Sequence, residues 1–151
     1  HPQDNQPVTL RDKHFTASFT GALVKNVTQV SAASKLGDHT IIDARDADRF
    51  KGKAAEPRAG LRAGHIPGST NLHYKELLND DGTMKNKDSL QSLFKKARIN
   101  QEKPIITTCG SGVTAAIISL ALEIVGYKNH SVYDGSWTEW GQFDQLPVEV
   151  G

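Results

Sequence analysis

The sequence contains one cysteine among its 151 residues, and this scarcity excludes several structural classes. One cysteine cannot form an internal disulfide, so we expect a protein of a reducing compartment, the cytoplasm. Structural zinc usually needs four nitrogen or sulfur ligands. The six histidines and the one cysteine show no such spacing. The sequence therefore predicts neither a metal nor any other cofactor.

An excess of one charge and a long apolar run are also missing. The 18 basic and 17 acidic residues give a net charge of +1 and are mixed along the chain. This balance gives no indication of binding to nucleic acid or to a membrane surface. No apolar run approaches the roughly 20 residues that a membrane helix needs. The length predicts a single domain with a hydrophobic core.

The first 25 residues are mostly polar and show little helical periodicity. We interpret residues 1–25 as an N-terminal arm or interdomain linker with an edge strand at residues 15–19, and residues 26–151 as the folded domain. Since the chain opens on His1 and not on methionine, we expect that it was processed or excised from a longer protein.

Short apolar segments alternate with helical segments through the rest of the chain. The predicted strands are residues 40–44, 69–72, 104–108 and 130–133. The predicted helices are residues 27–36, 46–50, 74–78, 88 or 89 to 98, 115–125 and 137–140. This alternation predicts an α/β fold with a central parallel sheet of about five strands and helices on both faces. In such sheets, ligands bind beyond the carboxyl ends of the strands.

The cysteine lies where a predicted strand turns into a predicted helix. Thr108 precedes Cys109, and Gly110, Ser111 and Gly112 follow it. A helix N-terminus carries unpaired amide groups and the positive end of the helix dipole, which stabilise an anion such as a thiolate or a persulfide. The glycines provide the backbone freedom that such a loop requires. We predict a reactive cysteine, with a buried structural cysteine as the alternative.

Phosphate chemistry fits this loop less well. A cysteine-dependent phosphatase needs a cation on the loop to neutralise the phosphoryl group. Residues 109–116 contain neither Arg nor Lys, and no Gly-Lys-Ser/Thr sequence of a P-loop follows.

Several motifs resemble the rhodanese homology superfamily and, within it, the C-terminal catalytic domain of the 3-mercaptopyruvate sulfurtransferases. The matching segments are Asp43-Ala44-Arg45, Arg49-Phe50, Glu56-Pro57-Arg58, Gly64-His65-Ile66-Pro67-Gly68, Cys109-Gly110-Ser111-Gly112-Val113-Thr114 and Tyr133-Asp134-Gly135-Ser136-Trp137-Thr138-Glu139-Trp140. They occur in the order and spacing of that family, from about residue 27 to the end. The resemblance implies a rhodanese-like fold, with residues 26–151 as the catalytic rhodanese domain.

The resemblance also implies a reaction, in which Cys109 takes sulfur from 3-mercaptopyruvate, releases pyruvate and carries a persulfide. A thiol acceptor such as thioredoxin, or cyanide, then takes the outer sulfur. Ser111 would bond the substrate carbonyl or relay a proton, and Arg49 and Arg58 would bind the carboxylate. The remaining substrate-binding residues implied are Gly110, Gly112, Val113 and Thr114.

Two alternatives remain open at this point: a thiosulfate sulfurtransferase, and a persulfide carrier with little turnover. Thiosulfate-preferring relatives carry basic residues directly after the cysteine, where this sequence has Gly110 and Ser111, so mercaptopyruvate is favoured. Members of the family usually have two rhodanese-like domains, which implies that a first domain is missing here.

Four further assignments concern residues outside the loop. We expect Asp43 and Arg45 to form a structural ion pair, and His65 to bond the backbone of a turn. The tryptophans Trp137 and Trp140 are expected to pack in the core. Asp134 and Gly135 are expected to shape the loop that neighbours Cys109.

Overall fold

Five parallel strands form one sheet in the computed structural model, which describes residues 14–100 and 102–151. The strands are β1 (Val24–Lys25), β2 (Thr40–Asp43), β3 (Thr70–Asn71), β4 (Ile105–Thr108) and β5 (His130–Tyr133). Their order across the sheet is β1-β5-β4-β2-β3, and every pair is parallel. The predicted α/β class and the parallel sheet are therefore confirmed.

The described residues contain five α-helices: α1 (Val27–Leu36), α2 (Ala47–Phe50), α3 (Lys87–Lys96), α4 (Val113–Val125) and α5 (Ser136–Trp140). The first four lie between strands, and α5 follows β5. Short 3₁₀ helices lie at Gly21–Leu23 and Tyr74–Leu77. Helix α1 begins at a capping box between Asn26 and Gln29 and ends at Gly37, whose φ of 64° is the left-handed conformation that glycine favours.

The helices cover both faces of the sheet, and the strand sequences show why. Ile41 and Ile42 are neighbours on β2, yet they belong to two different core clusters because successive side chains point to opposite faces. Ile42 packs with residues of α3 and α4, such as Phe94 and Ile118. Ile41 packs with residues of α1 and α5, such as Val30. Both faces of the central strands are consequently buried.

The structure contradicts the predicted edge strand at residues 15–19. Phe15 and Phe19 are 86% and 84% exposed, and no strand is assigned there. The edge strand is β1, where Val24 and Lys25 pair with Val132 and Tyr133 of β5. The sheet thus begins two residues before the predicted boundary at residue 26. Residues 1–13 of the predicted arm lie outside the described residues.

Helix α3 begins earlier and ends earlier than the sequence predicts. Its N-cap is Asn86, whose side chain accepts a hydrogen bond from the amide of Ser89, so Asp88 and Ser89 lie inside the first turn. Its last residue is Lys96, because Arg98 adopts a left-handed conformation with φ of 54°. The prediction of a helix from residue 88 or 89 through Arg98 was wrong at both ends.

The carboxyl ends of β2, β4 and β5 meet at one edge of the sheet, because all strands run in the same direction. Asp43, Cys109 and Asp134 end or follow these three strands, so their loops are gathered at this edge, as the sequence predicts. Among the helices of the described residues, none is both long enough and apolar enough to span a membrane.

Candidate active site

Cys109 follows β4 at the centre of the sheet, and only 1% of its surface is exposed. The chain turns into α4 at Gly112, which has φ of 82°. A Cβ atom at Gly112 would lie 2.8 Å from the carbonyl oxygen of Asp134. Glycine is therefore required here both for its backbone conformation and for the close approach of the neighbouring loop.

The hydroxyl group of Ser136 forms hydrogen bonds with this loop. Its Oγ accepts hydrogen bonds from the amides of Cys109 and Gly112, both at 3.1 Å, and donates one to the carbonyl of Tyr133 at 2.8 Å. The same Oγ lies 4.0 Å from Cys109 Sγ. Since its proton has a much closer acceptor in Tyr133, Ser136 fixes the loop and does not serve as a proton donor to the sulfur.

Four amide groups of the loop remain available to a ligand. In the described parts of the chain, no acceptor is found for the amides of Gly110, Ser111, Val113 and Thr114. Helix α4 is 13 residues long, and the positive end of its dipole faces the same point. The loop can therefore stabilise a negative charge on the sulfur without any basic side chain of its own.

A cavity of about 260 Å³ opens over Cys109. Seven of the eight predicted site residues line it: Arg49, Arg58, Cys109, Gly110, Ser111, Val113 and Thr114. Gly112 is the exception, because it is buried beneath the loop and its amide is bonded to Ser136. The small volume suits a ligand of a few heavy atoms.

A buried carboxylate holds Arg49 at the wall of this cavity. Glu56, whose side chain is 2% exposed, accepts hydrogen bonds from Arg49 Nη2 at 2.6 Å and from Arg49 Nε at 3.3 Å. Its Oε1 also accepts from Arg45 Nη1 at 2.8 Å. Arg45 in turn pairs with Asp43, with 2.6 Å between Nη2 and Oδ2. The chain Asp43–Arg45–Glu56–Arg49 alternates in sign and is neutral as a group.

Burial of the Arg49 guanidinium opposes its charge, but the hydrogen bond and the negative charge of Glu56, with smaller effects of Asp46 and Asp43, raise its pKa above the ordinary value. Arg49 thus stays fully charged. Glu56 occupies one edge of the guanidinium, and the edge formed by Nη1 and Nη2 is left for another planar acceptor. A Cβ atom at Gly110 would lie 3.1 Å from Arg49 Nη2, so Arg49 rests directly against the loop.

Arg58 also lines the cavity. It is exposed, and its Nη1 donates to Thr138 Oγ1 at 2.8 Å. Thr138 Oγ1 donates to the carbonyl of Gly110 at 2.6 Å, so Arg58 is anchored indirectly to the loop. Arg58 forms no ion pair with a carboxylate among the described residues. It therefore contributes the net positive charge of the cavity.

Comparison with known proteins identifies the family of the chain. A family model described as "Rhodanese-like domain" matches residues 26–143. The chain belongs to the rhodanese-like domain family. It is 46% identical to the 3-mercaptopyruvate sulfurtransferase of Escherichia coli K12 over 142 residues, which are 94% of this chain and 50% of that protein. It is also 35% identical to the thiosulfate sulfurtransferase of Bos taurus, covering 99% of this chain and 50% of that protein.

Solved structures show the same relationship. The rhodanese-like domain superposes on the 3-mercaptopyruvate sulfotransferase SseA from Escherichia coli with a TM-score of 0.73 at 41% identity, over 89% of this chain and 49% of that one. For the Tum1 protein from Saccharomyces cerevisiae the TM-score is 0.79 at 33% identity, over 87% and 48% of the two chains. The chain spans about half the length of the relatives it matches.

Three residues of the rhodanese-like domain escaped assignment from sequence, although each lies inside a recognised motif. Glu56 holds Arg49, Ser136 holds the cysteine loop, and Thr138 connects Arg58 to Gly110. Ser136 directly follows Gly135 in the turn after β5, and this position is only a weak sequence signal for a role in holding the loop. No local signal identifies Glu56, because its partners are 7 and 11 residues away and meet it only through folding.

Three structural assignments from sequence are confirmed. Asp43 and Arg45 form a buried ion pair. His65 Nδ1 lies 2.8 Å from the carbonyl oxygen of Phe50. The rings of Trp137 and Trp140 are buried in the core.

Proposed function

We propose that this rhodanese-like domain is a sulfurtransferase that moves sulfur from 3-mercaptopyruvate to a thiol acceptor through a persulfide on Cys109. One observation carries the proposal: a small cavity combines a cysteine, four unpaired loop amides and two arginines whose donors can bind a carboxylate. The names of the relatives in Escherichia coli, human, mouse and rat support the same donor.

The proposed reaction begins when the Cys109 thiolate attacks the sulfur atom of 3-mercaptopyruvate. A bond forms between the two sulfur atoms, and the bond between that sulfur and the substrate carbon breaks. The electron pair of the broken bond stays on the carbon, and the resulting enolate takes up the proton of the donor thiol to give pyruvate. The persulfide anion remains on the cysteine, where the loop amides stabilise it.

The substrate carboxylate is bound outside the loop in this proposal. Arg49 offers its Nη1–Nη2 edge, and Arg58 offers the donors that Thr138 does not occupy. Planar guanidinium groups match a carboxylate better than an ammonium group does. Because the network around Arg49 is neutral, Arg58 supplies most of the attraction for the anionic donor.

We propose that Ser111 assists the leaving group. Its side chain is exposed, lines the cavity and lies one residue beyond Gly110. No acceptor or donor within the described residues occupies its hydroxyl group. We assign to Ser111 a hydrogen bond to the substrate carbonyl, through which a proton reaches the enolate. The loop residues Gly110, Gly112, Val113 and Thr114 shape the cavity around the sulfur.

Thiosulfate is the second candidate donor, favoured by the similarity to the bovine thiosulfate sulfurtransferase. The position of Arg49 argues for mercaptopyruvate instead. A Cβ atom at position 110 would lie 3.1 Å from Arg49 Nη2, so a side chain there would press on Arg49, and Gly110 leaves it room at the cavity wall. The third candidate function is a persulfide carrier with little turnover. Such a carrier would form the same persulfide on Cys109 as the proposed enzyme.

The proposal assigns the second half-reaction to a diffusible acceptor, either a thiol such as that of thioredoxin or cyanide, which takes the outer sulfur of the persulfide and leaves the Cys109 thiolate. It places the protein in the cytoplasm, where the single cysteine stays reduced. In this proposal the catalytic domain extends from β1 to the end of the chain, and the residues before it act as an arm or linker. The relatives are about twice as long, and we propose that a preceding rhodanese-like domain completes the protein.

Steady-state kinetics test the function. We expect this chain to form pyruvate from 3-mercaptopyruvate over many turnovers when dithiothreitol or thioredoxin is present, with a higher kcat/KM than for thiosulfate. Cys109→Ser should abolish turnover with both donors and keep its circular dichroism spectrum. A single burst of pyruvate without turnover would favour the carrier, and a higher kcat/KM for thiosulfate would favour the second donor.

A further inference from the structure

A larger cavity lies at the opposite edge of the sheet. Its volume is about 720 Å³, within the range of pockets that hold organic ligands. It opens where β4 begins, at Ile105, whereas the candidate active site opens where β4 ends. Four strand residues separate the two, which is roughly 13 Å along the strand. None of the residues around Cys109 lines it.

Four basic side chains line this cavity: Lys95, Arg98, Lys103 and Lys128. We call it the polyanion cavity. None of the described residues that line it is acidic. Lys128 pairs with Glu123, and Lys103 Nζ donates to the carbonyl of Gly37 at 2.7 Å. Within the described residues, Lys95 and Arg98 form no ion pair.

The helix dipole explains only part of this arrangement. Lys95 lies in the last turn of α3, and Lys128 follows the C-terminus of α4, where cations are favoured. Two helix ends contribute about half a negative charge each. Glu123 pairs with Lys128, and Lys103 is offset by the C-terminus of α1 at Gly37 and by the nearby charge of Asp38, so a smaller excess of positive charge remains, at Lys95 and Arg98.

Arg98 is the residue that the helix ends do not explain. It has φ of 54° directly after the cap of α3, and its amide donates to the carbonyl of Lys95 at 3.0 Å. Helices α1 and α4 end with glycine in the same conformation, at Gly37 and Gly126. An arginine disfavours this backbone geometry, so its presence indicates a role for the side chain.

The wall of the polyanion cavity consists of apolar residues that their neighbours mostly cover. Ile99, Ile105 and Val125 are 7%, 1% and 8% exposed, and the half-buried ring of Tyr127 is the more accessible part. The Tyr127 ring is fixed against Phe94, with 5.8 Å between the ring centroids. A cationic rim over an apolar wall fits a ligand with several negative charges and an organic body. Inorganic phosphate alone would fill little of this volume.

We propose that the polyanion cavity binds a small organic polyphosphate of the nucleoside triphosphate class. The phosphates lie against Arg98 and Lys95, and the organic body covers the apolar wall. Lys103 and Lys128 contribute charge at the rim. This binding is independent of the proposed sulfur transfer, because it uses none of the catalytic or substrate-binding residues.

Calorimetric titration of the full chain with ATP, without a divalent cation, tests the proposal. Arg98→Gly removes the charge and places the favoured residue in the left-handed position, so this variant keeps or raises its melting temperature. We expect it to bind ATP about tenfold more weakly or worse, because hydrogen bonds to charged groups are among the stronger ones. Lys35→Ala, which removes an exposed lysine of α1, should bind as the parent does.

Two further ligands and one further variant complete the test. Adenosine and inorganic tripolyphosphate should each bind much more weakly than ATP, since each lacks one half of the recognised structure. Arg58→Ala should leave ATP binding unchanged, which separates this site from the active site. The proposal is overturned if ATP does not bind at millimolar concentration, if Arg98→Gly binds as well as the parent, or if adenosine or tripolyphosphate equals ATP.

Discussion

At the scale of single residues, the candidate site depends on two buried side chains that hold other residues in place. The Ser136 hydroxyl occupies two loop amides and one carbonyl at once, and Glu56 joins two arginines. Each is buried, so its removal leaves polar partners without water to replace it. The residue-scale predictions follow from these contacts and from Arg58.

Replacing Ser136 by alanine should destabilise the protein and lower sulfur transfer. Two amides and one carbonyl lose their partner, and we expect about 2–4 kcal/mol less free energy of unfolding. Urea unfolding and kcat/KM for 3-mercaptopyruvate measure the two effects. Ser34→Ala is the control, since Ser34 makes one bond, to the carbonyl of Pro67. Equal losses in both variants would contradict the role of Ser136.

Glu56→Gln removes the negative charge between Arg45 and Arg49. Breaking a buried ion pair on one side is costly, and we expect about 3 kcal/mol or more in the free energy of unfolding. The KM for 3-mercaptopyruvate should also rise, because Arg49 loses its anchor. Glu123→Gln, which alters an exposed pair, should leave both quantities unchanged. A stable Glu56→Gln protein with normal KM would show that Glu56 does not hold Arg49.

Arg58→Lys tests whether binding of the substrate carboxylate needs only a positive charge or also the planar donor pair of a guanidinium group. Lysine keeps the positive charge but lacks the planar pair of donors. We expect the KM for 3-mercaptopyruvate to rise about tenfold, the effect of losing one charge-assisted hydrogen bond. The KM for thiosulfate, which has no carboxylate, should change much less. An equal rise for both donors would argue against carboxylate binding by Arg58.

At the scale of elements, the strand β4, the loop and the helix α4 form one unit whose geometry depends on Gly112. Gly112 precedes the helix in a left-handed conformation, which lets the chain turn close to the carbonyl of Asp134. The unpaired amides and the dipole of α4 converge on the sulfur only when this turn is intact. The loop that follows β5 therefore packs against the loop around Cys109 and stabilises its conformation.

Gly112→Ala should disrupt that unit more than glycine replacement at the other end of the same helix. Gly126 also has positive φ, but a Cβ atom there meets open space, so Gly126→Ala should cost only about 1–2 kcal/mol. Gly112→Ala adds a collision with the Asp134 backbone. We expect a larger loss of unfolding free energy and loss of sulfur transfer. Similar stability of the two variants would contradict this account.

At the scale of the whole molecule, the alternation of apolar strands and helices was sufficient to predict a parallel sheet covered on both faces. The order of the strands is not encoded locally, because β1 is only two residues long and is defined by its pairing with β5. The pattern of residues 15–19 resembles a strand, yet the burial that would stabilise one is absent there. Pairing, not composition, determines which segment forms the edge.

The candidate site shows the same difference between signals in the local sequence and contacts that form only on folding. Cys109 and its glycines could be predicted because the strand, loop and helix are contiguous in sequence. The roles of Glu56 and Ser136 could not, because their partners come from distant segments. The start of α3 was misplaced because Asn86, Asp88 and Ser89 are all good capping residues, and only the bond from the Ser89 amide to Asn86 selects one.

The mass of the intact protein after reaction with 3-mercaptopyruvate, with pyruvate measured in the same sample, tests the central claim most directly. The account predicts the addition of one sulfur atom per chain, release of an equal amount of pyruvate, and neither result in a folded Cys109→Ser variant. An unchanged mass without pyruvate, or sulfur addition that persists in Cys109→Ser, would contradict it.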